Sequence, residues 1–273
     1  MKSAHTIKRM KPLLGTFVEV AFIDDESVEL NQNTLFAKAF SAIESIQNEM
    51  SFHNPDSALS KLNLSQGEWI VLPSSLIKLL KCGQSLYQKS DGLFNFTVGG
   101  FLVNRGFLPN HFDHKFDNSG SPLDIEIKGQ KARLRKPVLI TLDGIAKGFA
   151  VDQAISVLQD NVNAGWVNAG GDIRVFGDVI LPIHQRNAIT IKYITDIENS
   201  AIATSQIQHN AKKDFPSHII NLQGRQPVEC TISVKASKAY LADSLTKILA
   251  FYSEKERYAI AQRFNATYLH PNN

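Results

Sequence analysis

Hydrophobic and polar positions along this chain follow two periods, and each period marks a class of element. Residues 16–22 (TFVEVAF) alternate with period two and are rich in β-branched and aromatic side chains, which predicts a strand. Between residues 35 and 50, Phe36, Phe40, Ile43, Ile46 and Met50 fall at helical spacing. A polar, turn-rich stretch follows over 51–60, with Asn54-Pro55 as its breaker. A second helix, capped by Ser74 or Ser75, carries Leu76, Leu79, Leu80 and Leu86 on one face and ends near Asp91-Gly92.

Residues 123–143 predict β-structure: Ile125 and Ile127, a Lys128-Gly129-Gln130 turn, Leu134, then Val138 and Ile140. Over 149–159, Val151, Ala154, Ile155 and Leu158 return to helical spacing. Residues 166–175 predict a strand interrupted by Ala169-Gly170-Gly171. Two more β-rich runs, 188–194 and 218–234, precede helices around 239–251 and 254–264. Strands and helices do not alternate strictly, which favours an α+β fold over a doubly wound sheet. With no repeat, low-complexity tract or linker, the expectation is one domain over residues 1–273.

Composition narrows this further. A chain of 273 residues, 43% hydrophobic and 20% charged, can bury a full core without staples, which excludes a disordered tail, a collagen-like repeat and a small disulfide scaffold. No apolar run approaches the ~20 residues of a spanning helix, so no membrane span is expected. Lys+Arg 29 against Asp+Glu 26 leaves +3, a mild excess that gives no indication of nucleic acid. Lys8, Arg9 and Lys11 supply much of it and read as a solvated end. Cys82 and Cys230 lie far apart in apolar surroundings, as reduced thiols of a cytoplasmic protein would. The first 20 residues hold neither an apolar signal core nor a cysteine to carry a lipid, so the expected location is cytoplasmic.

Four segments mix chemistry with glycine. Residues 91–100 (DGLFNFTVGG) follow a helix, and 142–149 (LDGIAKGF) join a strand to a helix, where backbone N–H groups beside the Lys147 ammonium form an anion site. Asn168-Ala-Gly-Gly-Asp172 sits inside the predicted strand, as a bulge or as a close approach for a flat ligand. Asp243 lies early in the penultimate helix with Thr246 and Lys247 one turn on. On a surface, an i,i+4 pair such as Asp243–Lys247 is worth ~0.2–0.5 kcal/mol. Taken singly, each segment also has a purely structural reading, and neither a GxGxxG fingerprint nor a Walker loop is present.

Their order changes the picture. Leu14-Gly-Thr16, Ser51…Pro55-Asp-Ser57, Asp91-Gly…Thr97-Val-Gly99, Gly144-Ile-Ala-Lys-Gly148 with Asp152, Asn168-Ala-Gly-Gly-Asp172, Ala203-Thr-Ser205, His218-Ile-Ile220 and Leu241-Ala-Asp243 run the length of the chain. The series resembles the ApbE family of FAD-dependent flavin transferases over about residues 10–251. The resemblance implies a compact, T-fold-related α+β domain with mixed or antiparallel sheets and packed helices. It implies transfer of FMN from FAD to a Thr or Ser of an acceptor protein with Mg²⁺ assistance. By matching position, FAD contacts fall at Leu14, His53, Leu93, Phe94, Asn95, Thr141, Lys147 and Ile220, metal ligands at Asp243, Thr246 and the Gly144 carbonyl, and the base at His218. A strand histidine satisfied by the backbone is the alternative for His218, and a surface lysine for Lys147. An FAD diphosphatase releasing FMN and AMP, or a flavin carrier that has lost catalysis, are the alternative activities.

The departures from the family pattern concern charge. Leu14 replaces a usual Met and His53 an aromatic ring; Asn95, Thr141 and Asn221 each replace Asp, and Leu222 replaces Pro. Lys247 stands where a hydroxyl metal ligand is usual. Its ammonium then either swings outward and leaves Asp243 to the metal, or partly replaces the metal's charge. The outward position is the expected one, since a long lysine keeps its stem on the helix and its head in water.

Overall fold

The computed structural model describes residues 5–24, 30–186, 191–207, 219–220 and 226–270. In chain order these form β1 (His5–Leu13), β2 (Thr16–Asp24), α1 (Gln32–Met50), α2 (Ala58–Asn63), β3 (Ile70–Val71), α3 (Ser74–Lys89), α4 (Gly99–Asn104), a 3-10 turn (Pro122–Asp124), β4 (Ile125–Lys128) and β5 (Lys131–Leu134). Then come α5 (Ala146–Gln159), β6 (Gly165–Ala169), β7 (Asp172–Phe176), β8 (Leu181–Arg186), β9 (Ile191–Ile197), β10 (Ala201–Ile207), β11 (Cys230–Ala236), α6 (Ala239–Leu249), α7 (Glu254–Arg263) and β12 (Thr267–Leu269). They group into two units. The first comprises Met1–Ser45, Lys147–Gln206 and Cys230–Asn273, the second Ile46–Ala146 and Ile207–Glu229.

The first unit is built on a seven-stranded sheet in the order β1-β2-β6-β7-β10-β11-β12. The alternation in β2 works as predicted: Val18, Val20 and Phe22 are buried, and the Phe22 ring meets Phe36 of α1 at 4.7 Å. Leu35, Phe36, Ala39, Phe40 and Ile43 of α1 are buried, and burial of each large side chain stabilises by about 1.5–3 kcal/mol. The basic cluster near the N-terminus is solvated, as expected, and forms part of β1, the edge strand. Lys8 pairs with Glu19 at 3.3 Å, Lys11 with Glu44 at 3.6 Å, and the Arg9 guanidinium lies over Phe36. Charges on an edge strand resist pairing with another chain, so basic residues are compatible with a strand there.

The glycine pair also differs from expectation. Gly170 and Gly171 neither bulge nor interrupt one strand; they make the two-residue turn of the β6–β7 hairpin, in which Ala169 faces Asp172. Their φ angles are +61° and +101°, and a tight hairpin of this kind requires positive φ at its centre. Asp172 therefore opens a strand instead of lying in the middle of one.

In the second unit, β3, β5 and β4 form a three-stranded antiparallel sheet, and α3 buries Leu76, Leu79, Leu80 and Leu86 as its spacing predicts. Its cap is Pro73, without a side-chain bond; the Ser75 hydroxyl instead donates to Glu49. The stretch read as turns runs into α2, capped by Ser57, which accepts from the Ser60 N–H at 2.9 Å, and anchored by buried Leu59 and Leu62. Residues 138–142 are not a strand beyond one bridge between Asp117 and Val138. Their backbone is satisfied irregularly. The Asn63 amide takes both the N–H and the C=O of Ile140 at 2.8 and 2.9 Å, Leu139 O accepts from Gly99, and the Thr141 N–H donates to Phe96 O. Among the described residues no helix is long and apolar enough to cross a membrane.

Candidate functional site

Four charged groups converge in the first unit. Lys147 comes from the first turn of α5, Asp172 from the start of β7, and Asp243 and Lys247 from successive turns of α6. Asp172 is 2% exposed and Asp243 is completely buried. Lys147 Nζ lies 3.2 Å from Asp172 Oδ2, an approach governed by charge, since that oxygen has no aligned hydrogen-bond partner. The Lys247 ammonium donates to Asp243 Oδ1 and, at 3.2 Å, to Ser205 Oγ of β10. Ser205 Oγ is in turn 2.7 Å from Thr246 Oγ1, whose hydroxyl also lies 2.7 Å from the Asp243 carbonyl. Burial pushes the Asp172 carboxyl up to about 7; Asp243 adds to the push, and the Lys147 and Lys247 ammoniums oppose it. For Lys147, burial lowers the pKa, but Asp172 and Asp243 outweigh it and hold the ammonium above its usual range.

Backbone geometry explains why these segments meet. The first N–H groups of a helix lack partners within it. At the start of α6, Lys238 makes no side-chain cap bond; Asp152 of α5 accepts instead from Ala239 and Tyr240, each at 3.0 Å. Asp243 of α6 returns the contact, accepting from Gly148 of α5 at 3.2 Å. A Cβ on Gly148 would stand 2.4 Å from Ala239 O, so only glycine admits this approach. Asp152 is further paired with buried Arg174 at 2.7 Å.

The second unit gathers other predicted residues around neutral groups. Leu93 and Phe94 are buried. The Asn95 amide donates to Gly120 O at 2.9 Å and accepts from the N–H and hydroxyl of Thr97. Thr141 donates to Asp143 Oδ2 at 3.0 Å, and the Phe94 ring lies 3.6 Å from where a Gly144 Cβ would stand. Ile220 packs against the cluster containing Phe52, while neighbouring His53 is exposed. Leu14 sits in the β1–β2 turn of the first unit at φ +55°, a conformation uncommon for a branched side chain. His218 lies outside the described residues.

A family model described as the ApbE family matches residues 14–269. The chain belongs to the ApbE family. It is 24% identical to the FAD:protein FMN transferase of Haemophilus influenzae over 98% of this chain and 87% of that one. The Vibrio cholerae protein of the same name is 25% identical over 96% of this chain and 86% of its own. Among solved structures, the apo flavinyl transferase ApbE of Pseudomonas stutzeri matches with TM-score 0.81 at 20% identity, covering 97% of this chain and 91% of that one. The Vibrio cholerae flavin transferase ApbE matches at 0.79 and 23%, covering 97% and 93%. At these identities the structures show the fold, an α+β arrangement of helices and antiparallel sheets.

The Mg²⁺ implied by the ApbE resemblance does not fit the donors found here. Asp243 Oδ1 is taken by Lys247, Asp243 Oδ2 by the Gly148 N–H, and Thr246 Oγ1 by Ser205 and the helix carbonyl. The two carboxylates are already balanced by two ammoniums, whereas a hard divalent cation requires about six oxygens in near-octahedral order. Among the described residues, no group of three or more His, Cys, Asp or Glu side chains is arranged to hold a metal. Gly144, the remaining ligand expected from the motif match, belongs to the second unit. The expected outward position of Lys247 is likewise not found. Asp243 has no access to water, so the ammonium is drawn inward to its carboxylate.

Asp172, Ser205 and Asp152 were present in the motif series but carried no assigned site role. The Asn168–Asp172 segment announced its glycines more loudly than its acid. Ser205 is linked to Asp243 only through Lys247 and Thr246, a relation that spacing along the chain does not express.

Proposed function

We propose that this protein is an FAD:protein FMN transferase that moves FMN from FAD to a Thr or Ser hydroxyl of an acceptor protein. In this reaction the acceptor oxygen forms a bond to the phosphorus of the FMN half. The phosphoanhydride P–O bond breaks, AMP leaves, and the hydroxyl proton passes to a base. Membership of the ApbE family and the relatives' names support the reading. The single observation that carries it is the convergence of Lys147, Asp172 and Asp243, from three separate motif segments, in one buried ionic cluster.

On this proposal the Lys147 ammonium faces the FAD pyrophosphate and offsets the negative charge that grows on it during transfer. Leu14, His53, Leu93, Phe94, Asn95, Thr141 and Ile220 complete the FAD contacts, and His218 takes the acceptor proton, a task suited to an imidazole with an unperturbed pKa near ~6.5. Asp243 directly, and Thr246 by way of Ser205, hold Lys247 in place of a metal, and Gly144 enters through the motif match alone. We treat the whole chain as one functional domain and place it in the cytoplasm, where its cysteines would stay as thiols.

The test is incubation with FAD and a candidate acceptor, with AMP release and flavin on the acceptor as readouts. Release that depends on the acceptor supports the transferase. Release without acceptor identifies a diphosphatase, and tight binding of intact FAD a carrier.

A further inference from the structure

Asp243 and Lys247 are four residues apart on α6, a spacing that on a surface would make an ordinary solvated pair. Here one partner is sealed. Asp243 is fully buried, while the Lys247 side chain keeps 24% of its exposure. Its head reaches inward to Asp243 Oδ1 and to Ser205 Oγ, and that hydroxyl continues to Thr246. An ammonium has three N–H donors and one positive charge. It therefore does two of the things a bound cation does: it neutralises a buried carboxylate and gathers oxygen atoms around a centre. Asp172 faces Lys147, so the cluster sets two carboxyl groups against two ammoniums. Placing a divalent ion on Asp243 would require Lys247 to leave and would put unlike numbers of charges in a buried space, which is costly.

We propose that Lys247 is the resident cation of this site, its ammonium standing where a divalent metal would otherwise be bound. The protein then keeps the Asp243 carboxylate neutralised at all times and needs no metal to complete α6. Toward an anionic substrate, Lys247 and Lys147 together present fixed single charges that cannot be removed by a chelator. This last consequence rests on the proposed FAD reaction; the occupancy of Asp243 does not.

The test uses metal binding and not turnover, so its failure is distinct from failure of the transferase reading. The full-length protein is titrated with Mn²⁺ while the paramagnetic signal of free Mn²⁺ is followed. The native protein is expected to leave that signal undiminished up to about 1 mM, while Lys247→Thr gains a site at least about tenfold tighter. Native protein that takes up Mn²⁺ as tightly as Lys247→Thr overturns the proposal. Should Lys247→Thr fail to fold, the melting temperature of the native protein and of Lys247→Arg decides. A ligand that binds only the folded state raises the melting temperature. Equal values in 5 mM-scale Mg²⁺ (roughly 100 times a 50 μM Kd) and in a chelator support a resident ammonium, and a rise of several degrees with Mg²⁺ overturns it.

Discussion

Every buried ionic side chain among the described residues lies in the first unit, beside buried hydroxyls such as Ser244 and Thr246, whereas the buried polar side chains of the second are amides and hydroxyls. Around α5 and α6, Asp152, Asp172, Asp243, Arg174, Lys147 and Lys247 are arranged in opposite-charge pairs. Around residues 93–97 and 139–143, Asn63, Asn95, Thr97 and Thr141 satisfy backbone groups and one another. The two materials respond differently to loss. A charged partner removed from the interior strands its mate, whereas a neutral partner removed leaves an unsatisfied dipole, and the first penalty is the larger. Charge also makes the first unit sensitive to pH through Asp172.

The comparison is sharpened most by Asp152→Ala. This change leaves Arg174 buried without its carboxylate and uncaps Ala239 and Tyr240, so denaturant unfolding should show a loss of about 3–5 kcal/mol. A loss below about 1 kcal/mol would mean that α6 is positioned by packing alone. Next is Asn63→Ala in the second unit. Both polar groups of Ile140 lose their partner, for an expected loss of about 2–3 kcal/mol, and because no charge is involved the loss should be the same at low and high salt.

The pH dependence of Asp172 tests the ionic cluster without a large perturbation. Asp172, whose ordinary value is 3.8, is pushed up to about 7 in the folded protein, mainly by burial. The folded state therefore holds a proton that the unfolded chain has lost between these values. The stability this gives is complete below the ordinary carboxylate range and is lost as pH rises through about 7. The value of about 7 already contains the pull of the two opposing ammoniums. Unfolding measured between pH 4 and 8 should show that decline, and Asp172→Asn should flatten it. The smallest effect expected is on binding. Lys147→Ala should weaken FAD about tenfold by fluorescence titration, close to 1.4 kcal/mol, whereas equal affinity would remove Lys147 from the substrate.

Elements whose own periodicity matches their burial were legible in the chain. The apolar faces of α1, α3 and α5 are where the spacing puts them, because one side of each is buried along its whole length. What the pattern did not convey was backbone supported from elsewhere. Ile140 reads as strand, yet its partners belong to the Asn63 side chain, 77 positions away. The short helix α2 was hidden by the polar residues that cap it. The strand β1 was hidden by the basic residues that suit an edge. In the ionic cluster, motif order had singled out Lys147, Asp243 and Thr246. The direction of Lys247 was misread because helical spacing reports which face a residue occupies, not whether its partner is sealed from water.

The exchange of carboxylates between α5 and α6 has a consequence for motion. Asp152 on α5 holds the first amides of α6, and Asp243 on α6 holds an amide in the first turn of α5. Each acceptor lies in the second turn of its own helix, so disorder that spreads past the first turn of one also loosens the start of the other. The two initial turns are thus coupled in opening, and the amide protons of Gly148, Ala239 and Tyr240 should show similar protection from exchange with solvent. A loop carrying the same charges could drift into place one residue at a time; this pair of helices either presents all of them together or none.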